Sequence, residues 1–215
     1  MRNTGLKRRW PMPKVKLTKG ELKKRRDDLR QYERYLPTLQ LKKQQLQLEI
    51  LRQLALIDEK NRALLEKKQA AAAWASLLEE GYIERPWLVP VRVDSSVKNI
   101  AGVDIPMFEG ARFSAVEYDL FIAPLWVDTA LEALRGMISL LEEIRVIEKG
   151  ISILRHELRI TTQRVNLFEK VKIPEAKEAI WLIKIYLGDQ MANAVGRSKI
   201  AKAKIELGML EEAFV

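Results

Sequence analysis

Residues 123–168 read APLWVDTALEALRGMISLLEEIRVIEKGISILRHELRITTQRVNLF, and their spacing decides the fold class. Taken every seven residues, one row runs Ala123, Ala130, Met137, Ile144, Ile151, Leu158, Val165. A second row, three positions on, runs Trp126, Ala133, Leu140, Ile147, Leu154, Thr161, Phe168. Thirteen of these fourteen residues are apolar, while Glu132, Glu142, Glu143, Lys149, Arg155 and Arg159 fall off the stripe. A heptad kept over six or more repeats specifies a helix that buries a narrow seam against another helix.

The other helix is found upstream. The row Leu22, Leu29, Leu36, Lys43, Ile50, Ile57, Leu64, Ala71, Leu78 is apolar at every position but Lys43. Its companion row, Arg25, Tyr32, Leu39, Leu46, Gln53, Lys60, Lys67, Trp74, is mixed. Thr18 with Glu21 three positions on forms a capping-box pattern that starts this helix. A helix of about 58 residues is roughly 85 Å long, beyond the span of a compact globule. Pro37 lies inside it and predicts a kink.

Between the helices, RPWLVPVRVDSSVKNIAGVDIPMF (residues 85–108) mixes Val, Ile and Phe with Pro, Gly and the Asp94-Ser95-Ser96 cluster. This predicts short strands with turns, a hairpin-like cap centred near Val97 and bent at Gly102. The expected fold is mainly α: a long antiparallel two-helix coiled coil with a small β-hairpin-like insert between the helices. Five segments follow: a basic N-terminal arm (1–17), an N-terminal long helix (18–80), a strand and hairpin insert (81–112), a second long helix (113–172) starting near Phe113 to Val116, and a C-terminal helical extension (173–215). The extension carries Ile180, Ile183, Leu187 and Met191, has no upstream segment left to pair its far end, and is expected to protrude.

Composition agrees with this reading. Of 215 residues 47% are hydrophobic and 31% charged, above the roughly 25% charged of an ordinary domain. Cysteine is absent, which excludes disulfides, thiol nucleophiles and Cys-ligated metals. The N-terminus has charge without an apolar core, so it does not read as a secretory signal. The longest low-charge runs fall short of the roughly 20 residues that span a bilayer. The chain is expected to be soluble. The net charge of +9 is concentrated: residues 1–30 hold twelve Lys and Arg against three Asp and Glu, and the remainder is balanced. A basic arm on a neutral body suits contact with an acidic surface, nucleic acid among the candidates, or a solvated extension equally well.

Catalytic motifs are absent from the sequence: no phosphate loop, nucleophile elbow, zinc signature or EF-hand loop. The adjacent pairs Glu79-Glu80 and Glu142-Glu143 read as solvated helix faces rather than an acid/base pair. His156, the single histidine, falls beside the seam and reads as a structural or surface residue. The five tryptophans are scattered, as packing or partner contacts would have them. No cofactor or metal is expected, and the chain is not expected to be an enzyme.

One stretch remains, TTQRVNLFEKVKIPEA (161–176), where the seam ends and Ile173-Pro174 should interrupt the helix. Its core, RVNLFEKVKIP, resembles the C-terminal helix of the D subunit of V/A-type rotary ATPases. Arg164, Val165, Asn166, Glu169, Ile173 and Pro174 fall on the family pattern. LTKGELKKRR and LPTLQLKKQQLQLE resemble that family's N-terminal helix through Leu39, Leu41, Lys42, Lys43 and Leu46. VKNIAGVDIPMF resembles its central hairpin. The resemblance covers most of residues 15–190. It departs after Pro174, where IKIYLGDQMANAVGRSKIAKAK replaces a Glu/Arg-rich run and contains Gly188 and Gly196.

The resemblance implies the central rotor shaft of such an ATPase, coupling the nucleotide-binding hexamer to the membrane ion-translocating ring in ATP synthesis or ion transport. The implied partners are the catalytic A and regulatory B subunits, the small F subunit, and the connector to the membrane ring, with no nucleotide bound directly. The implied location is peripheral, on the cytoplasmic face of a membrane. Candidate contact or structural residues are Arg164, Val165, Asn166, Glu169, Ile173, Pro174, Lys42 and Lys43, with the basic tip Arg197, Lys199, Lys202 and Lys204. The alternatives are a structural coiled coil and a nucleic-acid binder using its basic arm.

Overall fold

The computed structural model describes residues 15–116, 118–119 and 123–213; most of the basic N-terminal arm lies outside them. In chain order come helix α1 (Lys19–Ala72), strands β1 (Pro90–Ile100) and β2 (Val103–Phe113), helix α2 (Trp126–Leu167) and helix α3 (Ile173–Ala213). Two short 3₁₀ segments, Ala75–Glu80 and Arg85–Leu88, connect α1 to β1. The chain divides into two compact units. One is Leu39–Gln163; the other combines the residues up to Thr38 with those from Arg164 onward.

In the Leu39–Gln163 unit, α1 and α2 run antiparallel. Lys42 Nζ lies 2.8 Å from Glu157 Oε1, and Lys60 Nζ lies 2.8 Å from Glu143 Oε1. The heptad rows form the seam: Leu46, Ile50 and Leu64 are buried on α1, and Ala130, Met137, Ile144, Ile147, Ile151 and Leu154 on α2. Each buried Leu or Ile contributes on the order of 1.5–3 kcal/mol. Lys67 is the exposed exception among the α1 seam positions.

The insert differs from its expectation in two ways. Asp94-Ser95-Ser96 is not a turn but lies within β1, with a register shift between Asp94 and Ser95. The turn is Ala101-Gly102, both at positive φ (52° and 75°), joining the pair Ile100 and Val103. Two left-handed residues give the twist a two-residue hairpin needs. Asn99 secures it: its Oδ1 accepts the Gly102 N–H at 3.1 Å, and its Nδ2 donates to Asp104 Oδ1 at 2.6 Å. Nor does the hairpin cap the helix pair. Val103 and Ile105 are buried with Leu46, Ile50, Ile147, Ile151 and Leu154, so its tip lies along the helices. The strand passes close to Gly150: a Cβ there would lie 3.9 Å from Ile105 Cβ and Pro106 O, in ordinary van der Waals contact.

Helix boundaries also shift. α1 ends at Ala72, short of Glu80, and passes into the 3₁₀ segment. α2 begins at Trp126, not near Phe113 to Val116. Pro124 accounts for that start, because proline fits the first turn of a helix and not its interior; the Val127 N–H donates to the Pro124 carbonyl at 3.1 Å. At the other end Thr18 caps α1 as expected, its Oγ1 accepting the Glu21 N–H at 3.2 Å. Glu21 itself turns to Arg25 (2.8 Å), so half of the capping box is made. Pro37 leaves α1 unbroken, and Thr38 Oγ1 donates to the nearby Tyr35 carbonyl at 2.8 Å.

Ile173-Pro174 likewise fails to interrupt the helix. Residues Phe168–Lys172 form a π-helical turn, in which the Ile173 N–H donates to Phe168 O five residues back, and α3 follows at once. A proline ring in an α-helix clashes with the carbonyl four residues earlier and lacks the N–H to bond it. One widened turn relieves both problems. In the unit that holds this turn, Leu22, Arg25, Leu29, Tyr32 and Leu36 of α1 are half-buried at three- and four-residue spacing. Ala176, Ala179, Ile180 and Ile183 form the buried face of α3.

Candidate functional site

The six motif residues divide between packing and surface. Val165 is buried, Ile173 is half-buried, and Arg164, Asn166, Glu169 and Pro174 are exposed. The aromatic beside them does what the motif alone did not indicate. Phe168 stacks on Tyr32 of α1, ring centroids 5.3 Å apart and planes 22° apart. Lys177 Nζ lies 3.5 Å from Glu33 Oε1 in the same unit. The π turn is thus flanked by one aromatic and one ionic link to α1, and the motif presents an exposed Arg, Asn and Glu on a fixed helical surface.

Lys42, grouped with Lys43 in the sequence, is half-buried and bonded within the chain to Glu157. Lys43 is half-buried on the seam row. Arg197, Lys199, Lys202 and Lys204 are all exposed along α3, and Lys202 Nζ lies 3.7 Å from Glu206. They do not stand alone. Trp181, Leu182, Ile185, Met191, Val195 and Ile200 are exposed on the same helix. From Lys184 to Leu207 every residue is exposed except the half-buried Leu187 and Gly196. A helix that shows both apolar and basic side chains to solvent in isolation is suited to enclosure by acidic, partly apolar surroundings.

No group of three His, Cys, Asp or Glu among the described residues could hold a metal ion. His156 is exposed and lines an open groove of about 600 Å³ with Leu54, Ile57, Arg155 and Arg159. No described helix is long and apolar enough to cross a membrane. Tyr118 is the one described group with a clear titration shift. Its hydroxyl donates to Asp128, and that bond, with the carboxylate's charge, raises the phenol above its ordinary value.

Comparison with known proteins supplies the family. The family model for the D subunit of ATP synthase matches residues 21–203. The chain belongs to that family. It is 45% identical over 194 residues to the V-type ATP synthase D subunit of Borreliella burgdorferi, covering 90% of this chain and 96% of that one. It is 33% identical over 197 residues to the protein of the same name from Chlamydia pneumoniae, covering 90% and 94%. A Chlamydia abortus relative of that name is 34% identical over 196 residues, covering 89% and 94%. The family match takes in α1 almost whole, the hairpin, α2 and most of α3, and so includes Arg197, Lys199 and Lys202 but not Lys204.

Two residues that lie against the hairpin were not singled out by the sequence. Gly150 sits inside a strong heptad helix, where a glycine costs about 0.8–1 kcal/mol against alanine and reads only as a weakness. Arg135 lies off the seam among many other charges. Its Nη2 donates to the carbonyls of Trp87 (3.0 Å) and Ser114 (2.8 Å), contacts that sequence spacing does not reveal.

Proposed function

We propose that this chain is the central rotor shaft of a V/A-type ATPase, carrying torque between the ATP-hydrolysing or ATP-synthesising hexamer and the membrane ion-translocating ring. The observation that carries the reading is the family match over residues 21–203, which spans the whole paired-helix region. The physical character of the chain supports it. A shaft needs torsional stiffness, which long helices with a buried seam and cross-seam ion pairs supply. It also needs a surface that other subunits can grip. The exposed apolar and basic length of α3 supplies one for the A and B subunits. The hairpin-bearing unit faces the small F subunit and the connector to the membrane ring. The five segments assigned from sequence are then the arm, two shaft helices, a partner-binding insert and a seated tip. The chain acts without catalysis of its own and without bound nucleotide, in keeping with a sequence that lacks a phosphate loop. It is peripheral, on the cytoplasmic face of the membrane.

The test is affinity capture of the tagged chain from gently solubilised native membranes. Recovery of A, B and F subunits in fixed proportion is expected. Capture of the chain alone, or as a homo-oligomer, would contradict the reading. A salt-dependent shift of DNA by the purified chain, with no ATPase subunits recovered, would favour the nucleic-acid alternative.

A further inference from the structure

The hairpin is attached to the helix pair at two points of different chemistry. At its tip, Val103 and Ile105 are buried among Leu46, Ile50, Ile147, Ile151 and Leu154, beside Gly150. That contact is apolar, and lifting it exposes hydrocarbon to water. At its base the contact is polar and aromatic. Arg135 of α2 donates from Nε (3.1 Å) and Nη2 (3.0 Å) to the Trp87 carbonyl, and from Nη2 (2.8 Å) to the Ser114 carbonyl. A single guanidinium therefore joins the chain entering the hairpin to the chain leaving it. Its Cζ also lies 5.2 Å from the centroid of the Phe113 ring. Trp87 stacks on Tyr118 with centroids 5.8 Å apart, and Tyr118 bonds to Asp128, two helical turns before Arg135 on the same face of α2.

The strand pairing changes character at the same place. Register shifts fall between Pro90 and Arg92 and between Asp94 and Ser95, whereas pairing is continuous from Ser95 with Phe108 to the turn. Bulges interrupt the ladder and bend the strand locally. Asp94, at the inner shift, is held by Arg92 (2.7 Å) and Arg112 (2.6 Å), both largely exposed. Every polar contact at the base can be exchanged for water, while the tip has no such substitute.

We propose that the hairpin is a strap with a releasable base: Arg135 is its clasp, and the base, residues 87–94 and 110–114, lifts from α2 while the tip stays docked. Release pivots at the Asp94–Ser95 shift. It opens the pocket that Phe113 of the hairpin shares with Asp128, Leu131 and Arg135 of α2.

Hydrogen exchange of the full-length chain, followed by mass spectrometry, tests this. In Arg135→Met, amides of residues 89–94 and 110–114 are expected to exchange at least about tenfold faster, the scale set by losing hydrogen bonds from a charged donor. Residues 100–105 and the helices keep their protection. Arg135→Lys keeps the charge and stem but not the fork that reaches two carbonyls, and is expected to accelerate the same base segments. Ile105→Ala is expected to accelerate residues 100–105 instead. Unchanged exchange at the base, acceleration of the entire hairpin as one unit in Arg135→Lys, or loss of α2 helicity in both Arg135 variants would each overturn the proposal.

Discussion

Lys60 Nζ and Glu143 Oε1 meet at 2.8 Å across the seam, both largely withdrawn from solvent. Lys60 stands at a seam position where the heptad would admit an apolar residue. A long side chain there can place its charge at the seam's edge while its methylenes cover the apolar stripe. With Lys42 and Glu157 it fixes which residues of α1 and α2 face one another. Sliding one helix by a turn would separate both pairs.

Reversing one charge in the pair therefore tests register directly. Lys60→Glu or Glu143→Lys is expected to destabilise the chain by about 1 kcal/mol, and the double exchange to recover most of it. Denaturant unfolding of the wild type, the two single variants and the double variant gives the coupling. Additive losses would mean the pair does not interact in solution.

Ile151, 4% exposed, belongs to the cluster that joins both helices and the hairpin tip. Ile151→Asp places an unpaired carboxylate there and is expected to cost about 3–5 kcal/mol, with a clear fall in melting temperature. An unchanged melt would place residue 151 in water.

At the hairpin turn, Ala101 holds φ of 52°, a region that disfavours residues with a Cβ. Ala101→Gly removes that strain at some cost in unfolded-chain entropy, and a net gain of about 0.5–1 kcal/mol is expected. Gly102→Val, at φ of 75°, is expected to destabilise. Thermal unfolding of the two variants, with opposite signs of shift, checks the turn assignment.

The Tyr118–Asp128 bond has a pH signature. The native phenol is raised above 10.0, chiefly because its O–H donates to Asp128. The stabilisation is complete below the unfolded value and disappears as pH rises through the raised native one. Tyrosinate absorbance titration of Asp128→Asn is expected to show one tyrosine ionising at lower pH than in the wild type. Superimposable titration curves would remove the bond from the account.

The helix pair was legible because its signal is a side-chain period, and burial follows the period directly. The hairpin was legible as strands but not in its details. Ala101-Gly102 lacks the Asn-Gly signature of a two-residue turn, while Asp94-Ser95-Ser96 carries a stronger turn composition and is nevertheless paired within β1, opposite Gly110, Phe108 and Met107. Pro124 and Pro174 have the same chemistry and different outcomes. One starts a helix, and the other is accommodated by a π turn that depends on backbone geometry rather than residue type. Docking of the hairpin tip was hidden because the burial of Val103 and Ile105 against Leu46, Ile50, Ile147, Ile151 and Leu154 joins residues far apart in the chain. Of the candidate site, the exposed basic row on α3 could be read from spacing. The Tyr32–Phe168 stack could not, since it joins residues far apart in the chain.

Rotation is the central claim, and the absence of cysteine in the chain makes it directly measurable. Val97 on the hairpin is 71% exposed, so Val97→Cys gives a unique attachment point. A bead tethered there, in complex with an immobilised A/B hexamer from the same ATPase, reports the motion of this chain alone. With Mg-ATP the account predicts sustained rotation in one direction, stopping when ATP is withdrawn. A bead that stays still while the same complexes hydrolyse ATP would contradict it.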